Sequence, residues 1–379
     1  IFKIVMNNKN NIVCSFCVMD TSVPDIIFDE NQQCQFCKNH KERILFEEEN
    51  YPDYLEKLTK NIKKKSKKDQ YDCIIGVSGG VDSTYVAYYL KKVLKLNPLA
   101  VHLDNGWNSE LAVKNIENCL NALDIDLITH VIDWNEFKKI QKALLESSIN
   151  NLEIVTDHAI NALLIKTASK YKIKYIINGS NTSTEGIMPL SWMEANQNKQ
   201  LIKSIFKKFY PNHSIKSVPT ISFIEFFYYL LIKRIKFVPI LNFIEYNKEI
   251  VIEILKQEID YKPYRYKHYE SIITRFFQGY ILPEKFDIDK RKAHFSSLIV
   301  SGQMSRKDAL EKLKEHPYGD TQAMERDKLF FLKKLELDKI QFEKIMKNKP
   351  ISASVYAPLS IMLIDFIGRF KQLLRKLTR

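Results

Sequence analysis

Hydrophobic and polar positions divide this chain into two regimes. From residue 71 short apolar runs alternate with stretches of helical spacing: 73–77 reads as a strand, 82–95 as a helix, 98–103 as a strand and 111–123 as a helix. The series continues with a strand at 127–132, helices at 137–145 and 156–171, and a strand at 175–178. Repeated strand–helix units predict an α/β fold, a doubly wound parallel sheet covered on both faces, with ligands at the carboxyl ends of its strands. Past about residue 200 the strand signals fade. Segments 221–235, 248–257, 305–316 and 322–335 carry helical spacing, so a helical subdomain packed on the sheet is expected there. Ahead of the sheet, 41–60 reads as a charged helix, and 60–68 holds six Lys in nine residues, a solvated linker or helix end.

These patterns predict three parts: a small module at 10–45, the sheet domain at 60–210, and a helical, basic region for substrate or partner binding at 211–379. With 45% apolar residues among 379, a sizeable core is available, which excludes a disordered or fibrous chain. The net charge of +13 favours anionic partners: phosphates, nucleic acid or an acidic membrane face. Residues 199–300 hold 18 Lys and Arg against 10 Asp and Glu, so most of that excess is concentrated there. The longest stretch without a charged residue, 350–364, is too short to cross a bilayer as a helix, and no transmembrane span is expected. The first residues, which begin with Ile, lack the pattern of a signal peptide, and a cytoplasmic location is the expectation. Residues 359–377 place apolar side chains at helical spacing beside Arg369, Lys371, Arg375 and Lys376; a core-facing terminal helix, a partner contact and an acidic membrane surface all fit.

Four of the six cysteines form two tight pairs, Cys14-x2-Cys17 and Cys34-x2-Cys37. That spacing matches a zinc ribbon, in which two knuckles give four thiolates to one tetrahedral ion. The module has too few apolar residues to fold without such a staple, and four thiolates leave no open catalytic position. Two disulfides are the alternative, disfavoured in a cytosolic chain. Cys73 and Cys119 stand apart, in a strand and a helix, where packing is the expected role.

Between the first strand and its helix lies Ser78-Gly79-Gly80-Val81-Asp82-Ser83. Paired glycines let successive N–H groups converge, and the following helix adds its positive end, which together make an anion nest suited to a phosphate chain. The lysine of a Walker loop is absent, as is a Rossmann fingerprint. The full string, Ile-Ile-Gly-Val-Ser-Gly-Gly-Val-Asp-Ser, resembles the pyrophosphate loop of the ATP pyrophosphatases, the PP-loop superfamily with an adenine-nucleotide alpha-hydrolase-like fold. By that resemblance Ser78, Gly79, Gly80, Asp82 and Ser83 contact pyrophosphate and its Mg²⁺, which Asp82 holds or orients. The segment holding His102, Asp104 and Asn105 would approach adenosine, and Gly179 and Asn181 would lie on the same rim.

A ribbon, this loop and a basic helical region together resemble the N-acetyl sugar amidotransferases of bacterial surface-polysaccharide synthesis. A third block strengthens the likeness: Lys267-His268-Tyr269-Glu270-Ser271, Thr274-Arg275-Phe276, Gln278-Gly279-Tyr280 and Asp289-Lys290-Arg291-Lys292-Ala293-His294, with departures at Asn31 and Asp287. The resemblance implies ATP-dependent adenylation of the acetamido oxygen of a nucleotide-linked sugar, followed by displacement of AMP by ammonia to give an acetamidino sugar, for lipopolysaccharide, O-antigen or a related glycan. Lys267, Arg275, Lys290 and Arg291 would supply countercharge to phosphates, with surface positions on a basic helix as the alternative. His268 and Glu270 would relay protons from ammonia. The chain carries no recognisable glutaminase motif, so a separate glutaminase subunit is expected to supply ammonia. The rivals are a tRNA-thiolating PP-loop enzyme, which would need further catalytic cysteines, and a non-enzymatic zinc-ribbon protein that binds nucleic acid.

Overall fold

A computed structural model describes residues 12–66, 70–192, 198–264 and 269–358. Lys267, His268 and the basic tail from 359 lie outside the described residues. Two isolated antiparallel bridges, Val13 with Asp20 and Phe28 with Cys34, shape the N-terminal module before α1 (Gln35–Ser66) begins. The charged helix expected at 41–60 is therefore the middle of a longer one that starts between Cys34 and Cys37. The sheet domain follows as β1 (Cys73–Gly76), α2 (Val81–Tyr88), β2 (Pro98–Asp104), α3 (Glu110–Leu123), β3 (Leu127–Val131), α4 (Trp134–Glu146), α5 (Ile154–Lys170) and β4 (Tyr175–Asn178). After α6 (Thr182–Glu185), α7 (Lys199–Phe209) and α8 (Phe223–Phe227), prolonged by a π-turn to Ile232, comes β5 (Lys236–Pro239). The remainder is helical: α9 (Lys248–Ile259), α10 (Ile272–Phe276), α11 (Leu282–Phe286), α12 (Lys290–Val300), α13 (Arg306–Leu313), α14 (Thr321–Leu335) and α15 (Lys339–Lys347).

All five strands are parallel, in the order β3-β2-β1-β4-β5. One correction is β5, a strand of the sheet that lies inside the region read as helical. Only Val238 of its four residues is buried, so the apolar pattern that betrays a strand is absent. Alternate residues of β1 face opposite layers: Cys73 and Ile75 pack with α2 and α3, and Ile74 packs with α5. The order reverses between β1 and β4, and such a switch point opens a crevice at the strands' carboxyl ends.

The N-terminal module shares its core with the C-terminal helices. Cys14, Met19 and Phe28 belong to the same apolar cluster as Ile273, Phe276 and Phe331. Polar contacts lock the junction: Arg306 on α13 donates to the carbonyls of Cys14 (2.9 Å) and Cys17 (3.0 Å), and Lys292 on α12 reaches Asp20 at 2.6 Å. A module too small to bury itself is thereby completed by distant sequence.

Candidate active site

The loop 78–83 occupies the switch crevice. Gly79 has φ +77°, and a Cβ there would meet the carbonyl oxygen of Ala112 at 2.4 Å, so conformation and space both require glycine. Gly80 precedes α2 without any side-chain cap, an arrangement that suits a helix start facing an anion. The hydroxyls of Ser78 and Ser83 stand 3.1 Å apart across the loop. Tyr264 donates to the carbonyl of Gly79 at 3.0 Å, so the C-terminal region braces the turn from outside.

Asp82 accepts a hydrogen bond from the buried hydroxyl of Tyr246. Burial first, then the charges of Asp82 and Glu185, push that phenol far above its ordinary range, so it stays a donor. A Cβ on Gly179 would lie 3.0 Å from the carbonyl carbon of Asp82, which shows how closely the end of β4 meets the first turn of α2. Glu270 also arrives here: a Cβ on Gly80 would sit 3.7 Å from its Oε1, and its backbone is pinned by the N–H of Ser109 donating to its carbonyl at 2.9 Å. Tyr246, Tyr264 and Glu185 were missed by sequence reasoning. The cluster of tyrosines between 246 and 269 was the available signal.

Other expected contacts are spent on building the rim. His102 pairs through Nδ1 with the carbonyl of Val77 at 2.8 Å and through Nε2 with the amide of Asn108 at 3.0 Å. Asp104 accepts from the N–H of Gly106 at 2.9 Å, and Asn105 from that of Trp107 at 3.1 Å. Asn181 caps α6 by accepting from Thr184 N–H at 2.8 Å. These side chains shape the crevice through turns and a cap.

Two of the cations expected to give countercharge to phosphates hold protein partners. Arg275 makes a two-pronged ion pair with the buried Asp327, which Tyr318 also contacts. Arg291 pairs with Asp289 at 2.7 Å and donates to the carbonyls of Lys312 (3.3 Å) and Glu315 (3.0 Å), satisfying the C-terminal end of α13. A planar five-donor group suits such bracing as well as it suits a phosphate, which is why the sequence could not separate the two roles. Lys290 stands close enough to the exposed Asp157 for their opposite charges to interact.

Cys14, Cys17, Cys34 and Cys37 converge, with all four sulfurs within 4.8 Å of one another. Three Sγ–Sγ edges measure 3.8, 3.7 and 3.5 Å. A tetrahedral ion with metal–sulfur bonds of about 2.3 Å sets its sulfurs about 3.8 Å apart, so the residues fit one such ion. N–H groups of Phe16 (3.4 Å) and Cys34 (3.3 Å) point at the sulfur of Cys14 and would temper thiolate charge.

Two family models divide the chain along these lines. Residues 54–210 match NAD synthase, and residues 270–364 match the C-terminal domain described as LPS biosynthesis protein WbpG-like. The chain joins a PP-loop domain to a WbpG-like domain. An uncharacterised protein of Methanocaldococcus jannaschii is 29% identical over 175 residues, 44% of this chain; the chain spans 58% of that relative's length. Among solved structures, the NH3-dependent NAD synthetase from Campylobacter jejuni is 21% identical, covering 54% of this chain and 91% of its own, with a TM-score of 0.28. The U34-tRNA thiolase NcsA from Methanococcus maripaludis, described with its [4Fe-4S] cluster, is 15% identical, covering 79% and 88%, with a TM-score of 0.34. Neither likeness bears on substrate or reaction.

Proposed function

We propose that the protein is an ATP-pyrophosphatase-type carbon–nitrogen ligase that converts the acetamido group of a nucleotide-linked sugar to an acetamidino group. The observation that carries this reading is the approach of Glu270, the first residue of the WbpG-like match, to Gly80 of the phosphate loop. One crevice is thus lined by both matched segments.

An amide carbon is a weak electrophile because its nitrogen donates into the carbonyl. Transfer of AMP to the amide oxygen forms an O–P bond, expels pyrophosphate and leaves an imidate with a good leaving group; ammonia then displaces AMP. In this scheme the uncapped start of α2 and the hydroxyls of Ser78 and Ser83 bind the departing pyrophosphate. Asp82, oriented by Tyr246 and sharing its surroundings with Glu185, would hold Mg²⁺, which supplies charge neutralisation. A carboxylate beside a phosphate cradle is repelled unless it exchanges a proton or shares a cation. Glu270, beside Gly80, would accept a proton from incoming ammonium. His268 and Lys267 remain part of the proposal from the sequence, as does a separate glutaminase supplying ammonia. The four-cysteine site takes structural Zn²⁺.

The buried thiols speak against sulfur transfer: Cys73 and Cys119 are inaccessible, and burial pushes the Cys119 thiol up to about 12. The test is release of AMP and pyrophosphate from ATP with UDP-linked N-acetyl sugars and ammonium, set against bulk tRNA. Sugar-dependent turnover supports the proposal, and stimulation by tRNA alone overturns it.

A further inference from the structure

All five strands are parallel, so the residues that enter them share the edge opposite the phosphate loop. On the β4–β5 half that edge is cationic. Lys174 and Lys236 enter β4 and β5, Lys233 and Arg234 lie between α8 and β5, and all but Lys174 are exposed. Lys174 donates to the carbonyl of Lys233 at 2.9 Å, which ties the group together, and Lys65 at the end of α1 lies 5.4 Å from the ring of Tyr175.

Beside these charges runs α8 with its π-turn, and none of the residues from Phe223 to Ile232 is buried. Phe226 and Tyr229 pack against the sheet's core. Ile224, Tyr228 and Ile232 recur every four residues along the outer side, flanked by Phe223 and Leu231, and all five face solvent, Ile224 at 83%, Leu231 at 67% and Ile232 at 69% exposure. The acidic residue of this helix, Glu225, is occupied by Ser222 in a capping box and faces Lys199 at 3.8 Å.

We infer that this face docks on an anionic lipid bilayer, with the apolar stripe entering the interface and Lys233, Arg234 and Lys236 meeting lipid phosphates. An aromatic and aliphatic stripe ending in a cluster of cations is the pattern of a helix lying in the membrane plane. No helix among the described residues is long and apolar enough to cross a membrane, which suits lying on one. Because the docking edge opposes the loop, the crevice at the strands' carboxyl ends stays open to substrate.

The experiment is co-sedimentation of the full chain with phosphatidylglycerol–phosphatidylcholine vesicles and with pure phosphatidylcholine vesicles, at low salt and at about 0.5 M salt. Binding is expected to the anionic vesicles and to weaken with salt. The pair I224E/L231E, and separately K233Q/R234Q, should each lower it about tenfold. Melting temperature and ATP turnover should not change, since these side chains are exposed and far from the loop. Equal binding to neutral vesicles, or undiminished binding by both double variants, overturns the inference. So does a dimer in solution that I224E/L231E dissolves, which would make the face a protein interface.

Discussion

Gly79 and Gly179 were expected on a phosphate-binding rim, and the packing that requires glycine at each comes from a neighbour far along the chain. Gly79 faces the backbone of α3 and Gly179 that of Asp82, so alanine at either position must displace main chain rather than a flexible side chain. Gly179→Ala is expected to weaken ATP turnover through misplacement of α2 with a modest fall in melting temperature. Gly79→Ala adds strain at positive φ and should cost both. Asp82→Ala should lower pyrophosphate release roughly a hundredfold or more, and Tyr246→Phe less, since the carboxylate survives.

At the scale of elements, β1, β2 and β4 were legible as buried apolar runs, and β3, an edge strand with no buried residue, through its three apolar residues in five. β5 was not, being only Lys-Phe-Val-Pro with one buried side chain. Among the charged positions of α10 and α12, Arg275 pairs with Asp327, Arg291 with Asp289 and Lys292 with Asp20. Arg275→Ala should destabilise the fold by about 3–5 kcal/mol, because Asp327 is left buried without its partner. Denaturant titration measures this, and turnover per folded molecule should survive. If turnover is instead lost while stability holds, Arg275 serves the phosphates after all. Arg306→Ala removes two bonds to the carbonyls of Cys14 and Cys17, and should loosen metal retention measured by competition with a chelator.

For the molecule as a whole, the N-terminal module and the C-terminal helices share one apolar core, and α12 and α13 clasp the module through Lys292 and Arg306. Chelation of the bound ion should lower the melting temperature of the whole chain in a single transition rather than release a separate ribbon. The net charge of +13 shows the limit of composition. Its concentration at 199–300 was visible, yet sequence position cannot say which way a side chain points, and the parallel sheet turns Lys233, Arg234 and Lys236 away from the phosphate loop. What the sequence determined by itself was local: the four-cysteine spacing, the glycine turn before α2 and the alternation of strands and helices, each set by interactions among residues a few positions apart. The tertiary structure decided which charges meet each other, which reach the crevice and which face solvent. Those outcomes depend on contacts between segments from 21 to 292 residues apart, where burial and partner geometry, not residue type, choose between structure and chemistry.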